Sequence, residues 1–253
     1  MFWGSYLTRG VPMASSSGSS PEPLLDLGAA ANGDMVTIVG FGSLMSETSG
    51  RTTFPDLQNF RFARVSGFRR VFRHPASIFF ERGIAKLATK EISSLSVEPA
   101  PPDVGFVVCA FDVDLRVHSM EGFIAREEEY DLIPCPFTDF DGNPGTGLMC
   151  MVSTDETYIE KWGRATYEEK YLKYGVESIW GWGPDSGILP CPVYCRHCVL
   201  ATSKQGVDPR ARDSFLDETY LADRKTTLRA HLAAHPEIMD TEPPPSLIGR
   251  YSG

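Results

Sequence analysis

The first clear hydrophobic pattern is the run Met35-Val36-Thr37-Ile38-Val39, short, β-branched and closed by glycine, which predicts a buried strand with order beginning abruptly at Met35. Aromatic and arginine residues then alternate over 60–72 (Phe62, Arg64, Phe68, Arg69, Arg70, Phe72), predicting one or two half-exposed strands around Gly67. Serines and Pro99, Pro101 and Pro102 mark 93–103 as a loop, and 104–113 reads as a second strong strand. A short helical pattern covers 114–130. Residues 133–137 and 148–152 form a strand pair joined by the turn Asp141-Gly142-Asn143-Pro144-Gly145. A capped helix is predicted over 155–174 with Gly175 as its stop. Trp180-Gly181-Trp182-Gly183-Pro184 reads as a rigid loop and 193–201 as another strand. A last helix is expected over 215–234 from the stripe Phe215, Leu216, Tyr220, Leu221, Leu228 and Leu232. Strands early and helices later, without strict alternation, imply an α+β domain over 35–235. The prolines 243–245 make 236–253 an extended tail.

Composition narrows the class. Of 253 residues, 42% are apolar and 23% charged, as in soluble globular proteins, and no stretch approaches a membrane span. A net charge of -9 repels polyanions, so neither nucleic acid nor a membrane is expected as a partner. Six cysteines are too few for a disulfide scaffold, and no secretory pattern opens the chain, so free thiols in the cytoplasm are the default. Residues 1–34, rich in Ser, Gly, Ala and Pro, read as a disordered leader, with an organellar transit segment as the alternative.

The sharpest local chemistry is the glycine turn that ends the first strand, Gly40-Phe41-Gly42-Ser43-Leu44-Met45. A dinucleotide fingerprint would need a third glycine where Met45 stands. A nucleophile elbow would need glycines at Phe41 and Met45, and a phosphate loop would need a lysine. What remains is a tight turn whose amides and one hydroxyl can hold a small anionic or carbonyl ligand, or a turn with no ligand at all.

Val39-Gly40-Phe41-Gly42-Ser43-Leu44-Met45 resembles the substrate loop of γ-glutamylcyclotransferase-like proteins, with Phe41 where Tyr is more usual. Ala63-Arg64-Val65-Ser66-Gly67-Phe68-Arg69-Arg70-Val71-Phe72 is similar to a second segment of that family, closest to its ChaC-type branch. The C-terminal part, from Leu189-Pro190-Cys191 through Asp217 to Arg229, is similar to uncharacterised plant-type members. The resemblance implies a small mixed β-barrel with flanking helices. It also implies an enzyme that closes a γ-glutamyl compound (amine, amino acid or glutathione-like peptide) on itself and releases 5-oxoproline, without metal or organic cofactor. Gly40, Phe41, Gly42, Ser43 and Leu44 would then bind substrate and oxyanion. The alternative is a non-catalytic member that binds a small ligand or a protein through the same mouth.

An acidic run, Glu121-Gly122-Phe123-Ile124-Ala125-Arg126-Glu127-Glu128-Glu129-Tyr130-Asp131, holds the candidate acid/base; a solvated charged face is the plain alternative. On a helix, Glu127 shares the face of Phe123, Ile124 and Tyr130; on a strand, Glu128 groups with Tyr130 and Leu132. The family's Arg-Glu pair matches Arg126-Glu127, which makes Glu127 the first choice for the catalytic residue and Glu129 the reserve. Tyr130 and Tyr194 are candidates for lining the pocket. Cys191, Cys195, His197 and Cys198 invite a zinc site, but on a strand Cys198 faces away from Cys195 and His197, so no metal is expected. Arg64, Arg69, Arg70 and Arg73 are candidates for a substrate carboxylate or for solvent.

Overall fold

The computed structural model describes residues 30–253. The leader expected over 1–34 therefore lies almost wholly outside the described residues. Regular structure is already present before Met35, where β1 (Ala31–Asn32) folds back antiparallel on β2 (Met35–Gly40).

Eight further strands follow: β3 (Gln58–Ser66), β4 (Phe68–Pro75), β5 (Glu91–Pro99), β6 (Gly105–Asp114), β7 (Asp131–Asp139), β8 (Pro144–Met151), β9 (Leu189–Pro190) and β10 (Thr219–Tyr220). Strands β2, β6, β3, β7 and β8 pair antiparallel in that order. The parallel register Ile38↔Leu148 and Val39↔Met149 then joins β8 back to β2 and closes a five-stranded barrel. Closure removes the free edges that an open sheet would expose. β6 shows the period of two most plainly. Phe106, Val108 and Ala110 join the cluster inside the barrel, while Val107, Cys109, Phe111 and Val113 join a second apolar layer outside it. Against the barrel lies a second sheet, β10-β4-β5-β9, whose Phe72, Leu95 and Val97 complete the inner cluster. The architecture is α+β, as the strand and helix pattern implies.

Helices α1 (Glu47–Thr53), α2 (Ser77–Glu81), α3 (Met120–Arg126), α4 (Asp155–Trp162), α5 (Arg164–Lys170), α6 (Pro192–Thr202), α7 (Pro209–Asp217) and α8 (Leu228–Ala234) flank this frame. Several departures from the sequence pattern have physical causes. The supposed loop over 93–103 is mostly β5, which is buried along nearly its whole length and paired to β4, with its prolines gathered at the end. The single helix over 155–174 breaks at Gly163, whose φ of 87° suits glycine and which caps α4 and opens α5. The strand expected over 193–201 is α6. Pro192 opens it, and burial on most sides leaves no amphipathic stripe to betray a helix. The helix over 215–234 is three pieces, α7, β10 and α8, of which α7 and α8 contribute Phe215, Leu216 and Leu228 to the inner core. The tail is not extended. Two 3₁₀ turns, Pro236–Asp240 and Pro245–Arg250, carry it back over the fold and bury Tyr251.

Candidate active site

The glycine turn leaves the barrel at the end of β2 and tightens into a 3₁₀ turn at Ser43–Met45. Its carbonyls are tied down one by one. Gly40 O and Leu44 O accept from the Cys109 thiol (3.5 and 3.1 Å), Phe41 O from Arg70 Nη1 (3.1 Å), and Gly42 O from the Met45 amide (3.0 Å). In a trans peptide the N–H points opposite to its C=O. Anchoring the Phe41 carbonyl on the barrel side therefore turns the Gly42 amide the other way. The leading amides of a 3₁₀ turn have no partner within it, and the half-exposed Ser43 hydroxyl makes no hydrogen bond among the described residues.

Arg70 is the fastener. It is fully buried and sandwiched between Phe106 and Phe215, with ring centroids at 4.8 and 4.6 Å. Every nitrogen is used: Nε donates to Thr219 Oγ1 (2.7 Å), Nη1 to Phe41 O and Val107 O, and Nη2 to Ser214 O (3.0 Å). Burial lowers its pKa to about 9, which keeps it charged at neutral pH. The other three arginines of the group do not converge on the turn. Arg69 and Arg73 pair with Glu98 (3.3 and 3.1 Å), and Arg64 pairs with Glu218 (2.7 Å).

Close packing fixes the space above the turn. A methyl group on Gly42 would stand 3.1 Å from Leu95 Cδ1 and 3.2 Å from the Tyr194 hydroxyl. Leu95 O accepts from the Tyr130 hydroxyl (2.6 Å), and the Tyr194 ring packs at a tilt of 41° against Phe79 of α2, centroids 5.0 Å apart. Both contacts lead to the acidic run, because Tyr130 follows Glu129 and α2 opens on Ser77. Phe41, expected at the ligand, instead turns its side chain into the barrel core, and Leu44 packs against the outer layer. Only their peptide groups belong to the turn.

The three consecutive glutamates have three different environments. Glu127 pairs with Arg126 (3.0 Å) and neighbours the Cys150 thiol, whose pKa burial and the Glu127 charge push up. Glu128 is held by Lys170 Nζ at 2.6 Å. Glu129 is buried. Its Oε1 accepts from the Tyr171 hydroxyl (2.8 Å), the Ser77 amide (3.2 Å) and the Ser77 hydroxyl (3.4 Å). Oε2 carries no hydrogen bond from the described residues. Burial, reinforced by the Glu128 charge, raises the Glu129 pKa to about 7. Tyr171 and Tyr130, whose pKa values burial drives well up, stay protonated as donors.

Ser77, Tyr171, Leu95 and Arg70 were not singled out as partners of the turn or the acid. For Arg70 a signal existed: at strand period it shares a face with Phe68 and Phe72. The others lie too far along the chain for any local pattern to join them. Cys191, Cys195 and Cys198 are buried free thiols at the start of and within α6. The strand geometry invoked against zinc does not apply there. Among the described residues, no three His, Cys, Asp or Glu side chains are placed to hold a metal ion. Two open depressions, one over Pro136, Phe137, Pro144 and Gly145 and one over Arg210, Asp213 and Asp217, share no lining residue with the turn or the acidic run.

Comparison with solved structures finds a consistent likeness. The chain is similar to γ-glutamyl cyclotransferase-like structures. One, described as a gamma-glutamyl cyclotransferase, is 12% identical over 71% of this chain and 85% of its own, with a TM-score of 0.44. A yeast cyclotransferase specific to glutathione is 13% identical, covering 82% of this chain and 96% of its own, with a TM-score of 0.45. An uncharacterised human protein gives 12% identity over 71% and 85%, with a TM-score of 0.45. No protein-family model matches the chain, and no curated protein sequence does. Among the described residues no helix is long and apolar enough to cross a membrane.

Proposed function

We propose that the protein catalyses the intramolecular cyclisation of a γ-glutamyl compound, releasing 5-oxoproline and an amine. The observation that carries this reading is the Glu129 carboxylate. One oxygen is held by Ser77 and Tyr171, the other takes no hydrogen bond among the described residues, and its pKa is tuned to about 7. A carboxylate so placed is matched to taking and returning a proton at neutral pH.

The chemistry asks for little else. The α-amine of the glutamyl group attacks its own γ-carbonyl carbon; a C–N bond forms, a ring closes, and the amide C–N bond breaks. One proton leaves the α-ammonium and one reaches the departing nitrogen, so Glu129 can serve as base and then acid with no net change. Attack within one molecule needs only that the chain be held folded. The oxyanion of the tetrahedral intermediate would be met by the amides of the Gly42-Ser43-Leu44 turn, whose orientation is set in advance by the anchored carbonyls. Arg126 and Lys170 neutralise Glu127 and Glu128, which leaves Glu129 as the preferred acid/base of the three.

The test is direct. Purified protein is incubated with glutathione, a γ-glutamyl amino acid and a γ-glutamyl amine, and 5-oxoproline is measured. At least one should yield product in the wild type and none should in Glu129→Gln. No product from any of them sinks the reaction, and an active Glu129→Gln moves the role to another residue.

A further inference from the structure

Two arginines, one at the end of α2 and one in the returning tail, have no acidic partner among the described residues. Arg82, at the end of α2, donates to the Tyr251 hydroxyl (3.3 Å) and lies 5.9 Å from the centre of its ring. Arg250 precedes Tyr251 in the returning tail, and its guanidinium feels the charges of Arg82 and, more weakly, Arg126. Neither Arg82 nor Arg250 forms an ion pair among the described residues, whereas Arg126 has Glu127. Although Arg250 is exposed as a residue, desolvation of its guanidinium, then the Arg82 charge, holds its pKa below the usual arginine range. Gathering like charges is unfavourable unless an anion completes the set.

The placement relates this pair to the proposed acid. Tyr251 packs in one apolar cluster with Ala76 and Phe79, and Ala76 immediately precedes Ser77, the residue bonded to Glu129. Tyr194, whose hydroxyl faces Gly42, packs against the same cluster. From Ser77 to Arg82 is five residues of helix, about 7.5 Å at 1.5 Å per residue. Two amino-acid residues in extended form span about 7 Å. A γ-carbonyl held between the turn and Glu129 would thus leave a dipeptide leaving group with its terminal carboxylate near the arginines.

We infer that Arg82 and Arg250, supported by Tyr251, form a carboxylate subsite that selects γ-glutamyl peptides by the free carboxylate of their leaving group. The subsite rests on the proposed reaction for its role, not for its ability to bind. Guanidinium–carboxylate hydrogen bonds are charge-assisted and directional, so the pair confers preference for a carboxylate over an amide or an alkyl end. Because that end lies away from the reacting carbonyl, the subsite contributes to binding more than to turnover.

The experiment compares glutathione with its C-terminal amide, in the full-length wild type and in Arg82→Gln and Arg250→Gln. Each substitution should raise KM for glutathione about tenfold, with kcat changed less than about twofold. The amide should already show the raised KM in the wild type and should be nearly insensitive to either substitution. Calorimetry with glutaryl-cysteinylglycine, which lacks the amine and cannot cyclise, reads the subsite apart from the reaction. Binding that weakens about tenfold in both variants supports the subsite even if 5-oxoproline is never formed. Equal affinity of wild type and variants, equal loss for acid and amide, or no binding by the wild type overturns it. Arg82→Lys, which keeps the charge without the fork, should recover part of the affinity and guards against misfolding as the cause.

Discussion

The glycine turn and the acidic run provide the two halves of the proposed chemistry by opposite means. The turn carries no ionisable group of its own. Its usefulness lies in backbone direction, fixed by the buried Arg70 and Cys109 side chains that hold three of its carbonyls, those of Phe41, Gly40 and Leu44. The acidic run is all ionisable groups, and only the surroundings of each separate them. Glu127 and Glu128 have cations at 3.0 and 2.6 Å, whereas Glu129 has only neutral donors and burial. A preorganised donor site is built by anchoring atoms, a tuned acid by withholding water and counter-charge.

The largest test of that contrast is Glu129→Gln. Turnover should fall by about 10²–10⁴-fold, the usual worth of a general acid/base. Stability should move the other way. A carboxyl whose pKa rises from an ordinary 4.5 to about 7 on folding binds more protons in the folded state than in the unfolded one across that window. Wild-type stability therefore falls as pH rises from about 4.5 to 7. Glutamine has no proton to lose, so the variant should match the wild type near pH 4 and gain on the order of 3 kcal/mol above pH 7, at 1.36 kcal/mol per unit. Denaturant titrations at pH 4 and pH 8 check this. Equal stability at both values would mean that Glu129 is not desolvated.

On the other side of the comparison stands Gly40→Ala. Its new methyl would sit 2.8 Å from both Cys109 Sγ and Leu44 Cβ, so the turn must shift. A displacement of this kind should lower kcat about 10²-fold while the pH dependence stays that of the wild type. A changed pH profile would show that the turn and the acid are not separable. Glu127→Gln breaks only a partly exposed ion pair and should alter kcat/KM less than about fivefold. A larger loss would return the acid/base role to Glu127. The smallest effect is expected from Glu128→Gln. Removing that charge lowers the Glu129 pKa, so the acidic limb of the rate profile, on which activity rises as the base ionises near pH 7, should move down by roughly half a unit.

Much of the barrel was legible because its signals are local. Met35-Val36-Thr37-Ile38-Val39 and the alternating faces of β6 declare a strand buried on both sides without help from distant residues. The same logic misled for α6: a helix buried nearly all round has no polar face, so its periodicity disappears and its β-branched ends suggest a strand. The stripe over 215–234 misled in another way, because two separate helices, α7 and α8, turn Phe215, Leu216 and Leu228 toward one core.

For the site, the sequence by itself determined that a glycine turn follows the first barrel strand and that three carboxylates follow Arg126. Which carboxylate is tuned was decided only in three dimensions. Helix α3 ends at Arg126 and β7 starts at Asp131, so the glutamates lie in a turn, closed by the Tyr130 amide on Glu127 O at 3.0 Å. Neither the 3.6-residue nor the two-residue period governs side-chain direction there. What singles out Glu129 comes from 52 and 42 residues away in sequence, at Ser77 and Tyr171. Burial and hydrogen bonding act through space, and only the closed barrel with its flanking helices brings those groups to one carboxylate.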